Sequence, residues 1–297
     1  MPRGLFQGTG TALITPFKED GQINYEKLED LINWQIESGV DALVITATTG
    51  EASSLPDEEH IQVVKSALEA NAGRVPIIAG CGSNDTRHGI ALVKSLSDLG
   101  VDALLNVTPY YNKTNQIGLI EHFKVMARAT DLPMILYNVP SRTNLNIEPE
   151  TYQALSDVPN IVGIKECNFN QVSKTRYLTG DHYAHYSGED LLVVPMLSMG
   201  ASGVISVLAN LVPDMVHAMT KAWFDGRIEE ARSLQIKLEP LVEALLCEVS
   251  PIPVKYAMNL MGLDVGPCRL PLGPLSDQGK KKVEDTLEKM GLWSPSL

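Results

Sequence analysis

The chain has 297 residues, 44% of them hydrophobic and 20% charged, which is enough apolar material for one barrel-sized domain or two smaller ones. Its formal net charge of -12 argues against nucleic acid or an anionic membrane as a general partner, and a small anionic substrate would need local basic help. Cys81, Cys167, Cys247 and Cys268 form no CxxC pair and read as reduced thiols, Met1 to Phe17 has no continuous apolar run, and no apolar stretch of about 18 residues occurs, so the expected location is the cytoplasm.

Short β-rich runs alternate with amphipathic segments along the chain. Strands are predicted at Gly10 to Thr15, Asp41 to Ala47, Pro76 to Gly80, Asp102 to Thr108, Pro133 to Asn138, Asn160 to Lys165, His182 to Ser187 and Gly203 to Leu208. Between them, Tyr25 to Ser38 places Leu28, Leu31, Ile32 and Ile36 on one helical face, and Asp57 to Ala70 does the same with Ile61, Val64 and Leu68. Eight βα units predict an α/β protein whose parallel sheet closes as a (β/α)8 TIM barrel over residues 1–225. Gly39-Val-Asp-Ala-Leu-Val and Gly100-Val-Asp-Ala-Leu-Leu repeat a helix end, a glycine cap and a strand start, with a looser echo at Gly200. Beyond the barrel's last helix, Asp214 to Asp225, the segments Ile228 to Cys247, Pro253 to Met261 and Ser276 to Met290 predict a C-terminal helical appendage over 226–297. No low-complexity linker precedes it, so independent folding is not expected.

In such a barrel chemistry sits where strands end. The second strand runs into Thr48-Thr49-Gly50-Glu51, whose hydroxyls and N–H groups suit a small carboxylate, although the same turn could merely cap the next helix. The fourth ends at Tyr110-Tyr111-Asn112, a pair of phenols that either donate protons or pack half-exposed. The fifth ends at Tyr137, with Arg142 a few residues on, offering a proton-transfer phenol and a carboxylate fork, or only a surface ion pair. The sixth, Asn160-Ile-Val-Gly-Ile-Lys165, is an apolar run closed by a lysine. Desolvation there lowers an amine's pKa and frees a lone pair for a carbonyl, whereas a snorkelling lysine would do neither. The seventh ends at Ser187-Gly188-Glu189-Asp190, where Gly188 makes a turn or admits a ligand to the backbone, and neither carboxylate is given a catalytic role. Six dispersed histidines, with His182 and His185 the only close pair, predict no metal site.

Thr48-Thr49-Gly50-Glu51, Tyr110-Tyr111-Asn112, Tyr137-Asn-Val-Pro-Ser-Arg142 and Gly163-Ile-Lys165-Glu166 together resemble the dihydrodipicolinate synthase family, within the pyruvate-dependent class I lyases and aldolases that include N-acetylneuraminate lyase. The resemblance runs from about Gly8 to Met290. It implies condensation of pyruvate with L-aspartate 4-semialdehyde, the entry step of the diaminopimelate route to lysine, with a covalent imine on Lys165 and no cofactor. It further implies a proton relay of Thr48, Tyr137 and Tyr111, the last reaching into a neighbouring subunit of a homotetramer arranged as a dimer of dimers. Thr49 would hold pyruvate's carboxylate, Arg142 the semialdehyde's, and Gly188 and Ile205 would line the pyruvate pocket. Arg142 favours a carboxylated aldehyde over a sugar aldehyde, because sialic acid lyases lack an arginine in that loop. Members inhibited by lysine bind it at positions that fall on Ala52, Ser53, Asp57, His60, Asn84, His88 and Tyr110. Sensitive members carry an acid where this chain has His88, so weak or absent lysine inhibition is expected. The alternatives are another pyruvate-type aldolase and a non-catalytic barrel that binds a metabolite without a covalent adduct.

Overall fold

Parallel strands covered by helices are buried on both faces, and the apolar runs of this chain fold that way. The computed structural model describes residues 5–294, so the first four residues of the N-terminal stretch and residues 295–297 of the C-terminal region lie outside the described residues. Strands β1 (Gly8–Ala12), β2 (Ala42–Ile45), β3 (Ile77–Gly80), β4 (Ala103–Val107), β5 (Met134–Asn138), β6 (Ile161–Glu166), β7 (Ala184–Ser187) and β8 (Gly203–Ser206) pair in chain order, and β8 returns to β1 to close the barrel. At that seam Gly8 faces Gly203, and a Cβ on Gly203 would lie 1.9 Å from the Gly8 carbonyl oxygen, so only glycine lets the two strands meet.

Helices α1 (Tyr25–Glu37), α2 (Asp57–Asn71), α3 (Thr86–Asp98), α4 (Gln116–Ala127), α5 (Pro140–Thr143), α6 (Pro149–Leu155), α7 (Val172–Thr179), α8 (Val193–Ser198) and α9 (Pro213–Phe224) follow the strands, with α5 a short extra turn after β5. The chain then forms α10 (Ile228–Leu245), α11 (Ile252–Leu260) and α12 (Asp277–Lys289). Leu238, Leu241, Val254, Met258, Val283 and Leu287 from these last helices belong to the same apolar cluster as Leu43, Leu104 and Ile164 of the barrel's outer face. Among the described residues no helix is long and apolar enough to cross a membrane.

The pleat divides each strand between two cores. Leu43 and Ile45 point to the helices, Ala42 and Val44 to the barrel interior, and the interior cluster also holds Ile135, Tyr137, Tyr186 and Ile205. Phe6, ahead of β1, stacks on Tyr186 with ring centroids 4.4 Å apart and accepts its hydroxyl at 2.9 Å through the backbone carbonyl. This covers the interior on the side where the strands begin.

The strand ends differ from the expected boundaries, and in β1 and β6 the cause is visible. β1 starts at Gly8, two residues before Gly10, because the glycine seam takes part in the ladder, and stops at Ala12, three residues short of Thr15. Past it, the Ile14 N–H donates to the Asn210 side chain instead of to a neighbouring strand. β6 runs through Glu166, one residue past Lys165. Its buried carboxylate accepts hydrogen bonds from Asn138, Gln171 and the Asn168 N–H, and α7 begins only after a single 3-10 turn at Phe169–Gln171.

Candidate active site

Strand register brings the reactive groups together. Tyr137 on β5 and Tyr186 on β7 both pair with Lys165 on β6, so the three side chains leave the sheet on the same face, into the barrel interior. Lys165 is 3% exposed, and its Nζ lies 4.2 Å from the centre of the Tyr137 ring. Burial lowers its pKa from the ordinary lysine value; the nearby Cys167, Asp190 and Glu189 oppose that shift and Arg142 adds to it. An amine so placed gives up its proton more readily than a surface lysine and becomes a nucleophile.

Tyr137 is 6% exposed, and burial pushes its phenol well up, so it holds its proton. The hydroxyl that it meets is that of Thr48. Thr48 and Thr49 sit in the turn after β2, with Thr49 almost buried. That turn is bracketed by Thr46 and Glu51, two non-glycine residues at φ 51° and 56°, and the Thr15 hydroxyl fastens its Gly50 carbonyl at 2.7 Å. β3 presses close from the side: a Cβ on Gly80 would lie 2.2 Å from the Thr46 carbonyl oxygen.

Gly188, just beyond β7, donates its N–H to the Glu166 carbonyl at 2.8 Å, and a Cβ there would come within 2.4 Å of the Cys167 sulfur. A larger residue there would have to displace the Cys167 side chain. Ile205 is fully buried in the interior cluster beside Tyr137 and Tyr186. Arg142, exposed on α5, donates from Nη2 to the Ser250 carbonyl at 3.2 Å and lies near enough to Lys165 and Tyr137 to act on both electrostatically. The interior thus offers a dry amine under a protonated phenol, with a hydroxyl-bearing turn on one side and a guanidinium at the mouth. That set suits imine chemistry on a small keto acid.

Tyr111 stands apart. It is 92% exposed at φ 69°, so a single chain does not bring it to Tyr137. Ala52, Ser53, Asp57, His60, His88 and Tyr110 line one cleft whose inner wall includes Thr48 and Tyr137; Asn84 lies alongside, its carbonyl accepting from Asn112 at 2.8 Å. In that cleft His88 Nε2 meets Asp57 at 2.8 Å, and His60, kept neutral by burial, donates from Nε2 to the Gly80 carbonyl.

Two groups to which the sequence reading gave no part in the site stand beside the amine. Cys167 and Glu189 both face the Lys165 amine, and burial raises the pKa of each. Glu189 also faces Arg142. Asp190, by contrast, is structural: it accepts the Ser206 hydroxyl at 2.5 Å and the N–H groups of Val207 and Leu208, which fixes the loop after β8.

The family model described as "Dihydrodipicolinate synthetase family" matches residues 5–290. The chain is 51% identical to the 4-hydroxy-tetrahydrodipicolinate synthase of Acetivibrio thermocellus over 98% of this chain and 100% of that one. It is 50% identical to the protein of the same name from a Thermoanaerobacter species over 97% and 98%. The crystal structure of the chloride-inhibited dihydrodipicolinate synthase from Acinetobacter baumannii complexed with pyruvate superposes with a TM-score of 0.94 at 41% identity, covering 96% of this chain and 99% of that one.

Proposed function

This chain belongs to the dihydrodipicolinate synthetase family, and on that premise we propose that Lys165 is the amine through which it handles pyruvate. Its activity is that of a 4-hydroxy-tetrahydrodipicolinate synthase, the lyase that condenses pyruvate with L-aspartate 4-semialdehyde at the first committed step of lysine biosynthesis through diaminopimelate. The neutral Lys165 amine adds to the pyruvate carbonyl carbon, water leaves, and an imine remains. Loss of a methyl proton turns the imine into an enamine, whose carbon attacks the aldehyde. The substrate's own amine then adds to the imine carbon, closes the ring and releases Lys165.

In this course Tyr137, protonated and in contact with Thr48, donates to the departing hydroxyl and takes the proton back. Tyr111 of a second copy completes the relay, within a homotetramer built as a dimer of dimers; the exposure of this tyrosine in the single chain supports that reading. Thr49 holds pyruvate's carboxylate, Gly188 and Ile205 shape the pocket around its methyl, and Arg142 receives the semialdehyde's carboxylate at the mouth. Residues 1–225 carry the chemistry on the barrel, and 226–297 are the C-terminal region, whose helices pack on it. The four free thiols favour a reducing cytoplasm as the place of action. We infer in addition that lysine inhibits weakly or not at all.

The observation that carries the reading is the buried Lys165 amine 4.2 Å from the Tyr137 ring. Pyruvate followed by borohydride reduction, with peptide mass spectrometry, tests it: a reduced pyruvate adduct on the Lys165 peptide is expected, and an unmodified peptide after full exposure rejects it.

A further inference from the structure

The turn that carries Thr48 and Thr49 is held from outside the barrel. Its last residue, Glu51, sends a fully buried carboxylate toward the C-terminal helices, where Lys255 of α11 donates to Oε1 at 2.7 Å and the Arg269 backbone N–H donates to Oε2 at 2.9 Å. Both oxygens are engaged, by residues more than 200 positions along the chain. Lys255 is itself 1% exposed, donates a second hydrogen bond to the Pro267 carbonyl at 2.8 Å, and rests its Nζ 4.2 Å from the Phe17 ring, against which the Arg269 guanidinium also lies.

We propose that Lys255 is a positioning residue for the reaction: by pinning Glu51 it fixes the turn that presents Thr48 and Thr49 to pyruvate, which makes the C-terminal helical region a working part of the pyruvate site. The proposal rests on the assignment of Thr48 and Thr49 made above. Backbone in the left-handed region persists only where its surroundings over-determine it, and here two such non-glycine residues, Thr46 and Glu51, stand at the two ends of one short turn. The Thr46 end is wedged against Gly80, and the Glu51 end has the ion pair. A buried ion pair adds little net stability over an apolar pair of the same shape, but it admits a single arrangement. That is what a turn aimed at a substrate carboxylate requires. Lys255 differs from Lys165 in its partners: burial lowers the pKa of both amines, but Lys255 is engaged by two acceptors, the Glu51 carboxylate, whose charge opposes that shift, and the Pro267 carbonyl.

The test uses the full chain with Glu51→Gln, Lys255→Met and the combined substitution, which removes both charges together. Folding is followed by circular dichroism, kcat and the two KM values by steady-state assay, and pyruvate binding by the concentration dependence of borohydride trapping at Lys165. A folded combined variant is expected to need about tenfold more pyruvate for half-trapping while reaching full trapping at saturation, with the KM for the semialdehyde changed less than about twofold. A folded combined variant with an unchanged pyruvate dependence overturns the proposal, as does an equal loss for both substrates. Failure of all three variants to fold also overturns it, since the pair would then serve the whole barrel. Absence of trapping on the unsubstituted chain would instead reject the assignment of Lys165, a separate result.

Discussion

At the scale of single residues the chemistry depends on where charge is permitted. Lys165 has no room for a hydration shell, and lowering its pKa makes the neutral amine available at a pH where a surface lysine is still protonated. The rate of borohydride trapping at subsaturating pyruvate should therefore rise with pH through a midpoint below 10.5, the ordinary lysine value, and level off above it. A rate still climbing at that pH contradicts the assignment. His88 supplies a second prediction. A bound lysine needs an unengaged carboxylate for its α-ammonium, and the Asp57 carboxylate in the cleft is already paired with His88 at 2.8 Å. Purified enzyme should keep more than half its activity in submillimolar lysine; half-inhibition in that range rejects the inference. Lys165, Tyr137 and Thr48 were legible in the sequence because each closes a β-rich run, and strand ends are where a barrel puts its chemistry. Glu189 and Cys167 were not, because the direction of a loop side chain is set by neighbours distant in sequence.

At the scale of elements the strands were found and their edges missed by one to three residues. Apolar runs mark a buried strand, but the ladder stops where the backbone finds another partner, as Ile14 does in Asn210. The repeated Gly-Val-Asp-Ala-Leu words prove to be one device used twice. Gly39 and Gly100 end α1 and α3 at positive φ, and the aspartates two residues on reach back to the preceding strand. Asp41 accepts the Thr9 N–H of β1 at 2.8 Å, and Asp102 accepts the Ile77 N–H of β3 at the same distance. Each aspartate thus locks the start of its own strand to the one before. Asp102→Ala should cost about 1 kcal/mol, read as a lower Tm with kcat unchanged, since the contact lies at the end of the barrel away from the chemistry. A loss of kcat without a change in Tm would contradict that role. The tie between Lys255 and Glu51 was beyond sequence reading, because nothing in a pattern of apolar spacing links α11 to the turn after β2.

At the scale of the whole molecule the barrel supplies enclosure. The interior is shut below by Phe6 and Tyr186, walled by mostly apolar strand side chains, and reached from the mouth where Arg142 stands. In the proposed relay Tyr111 comes from another copy, so Tyr111→Phe should lower kcat by about 100-fold while the oligomer measured by sedimentation stays intact. Undiminished turnover would remove this tyrosine from the relay. The central claim is that one amine, kept dry inside a closed ring of strands, captures a keto acid covalently. A crystal of the protein soaked in pyruvate tests it most directly. Continuous density from Lys165 Nζ to the central carbon of pyruvate, with the carboxylate against Thr49, is the predicted result; free pyruvate lodged elsewhere, with Lys165 turned out to water, would contradict it.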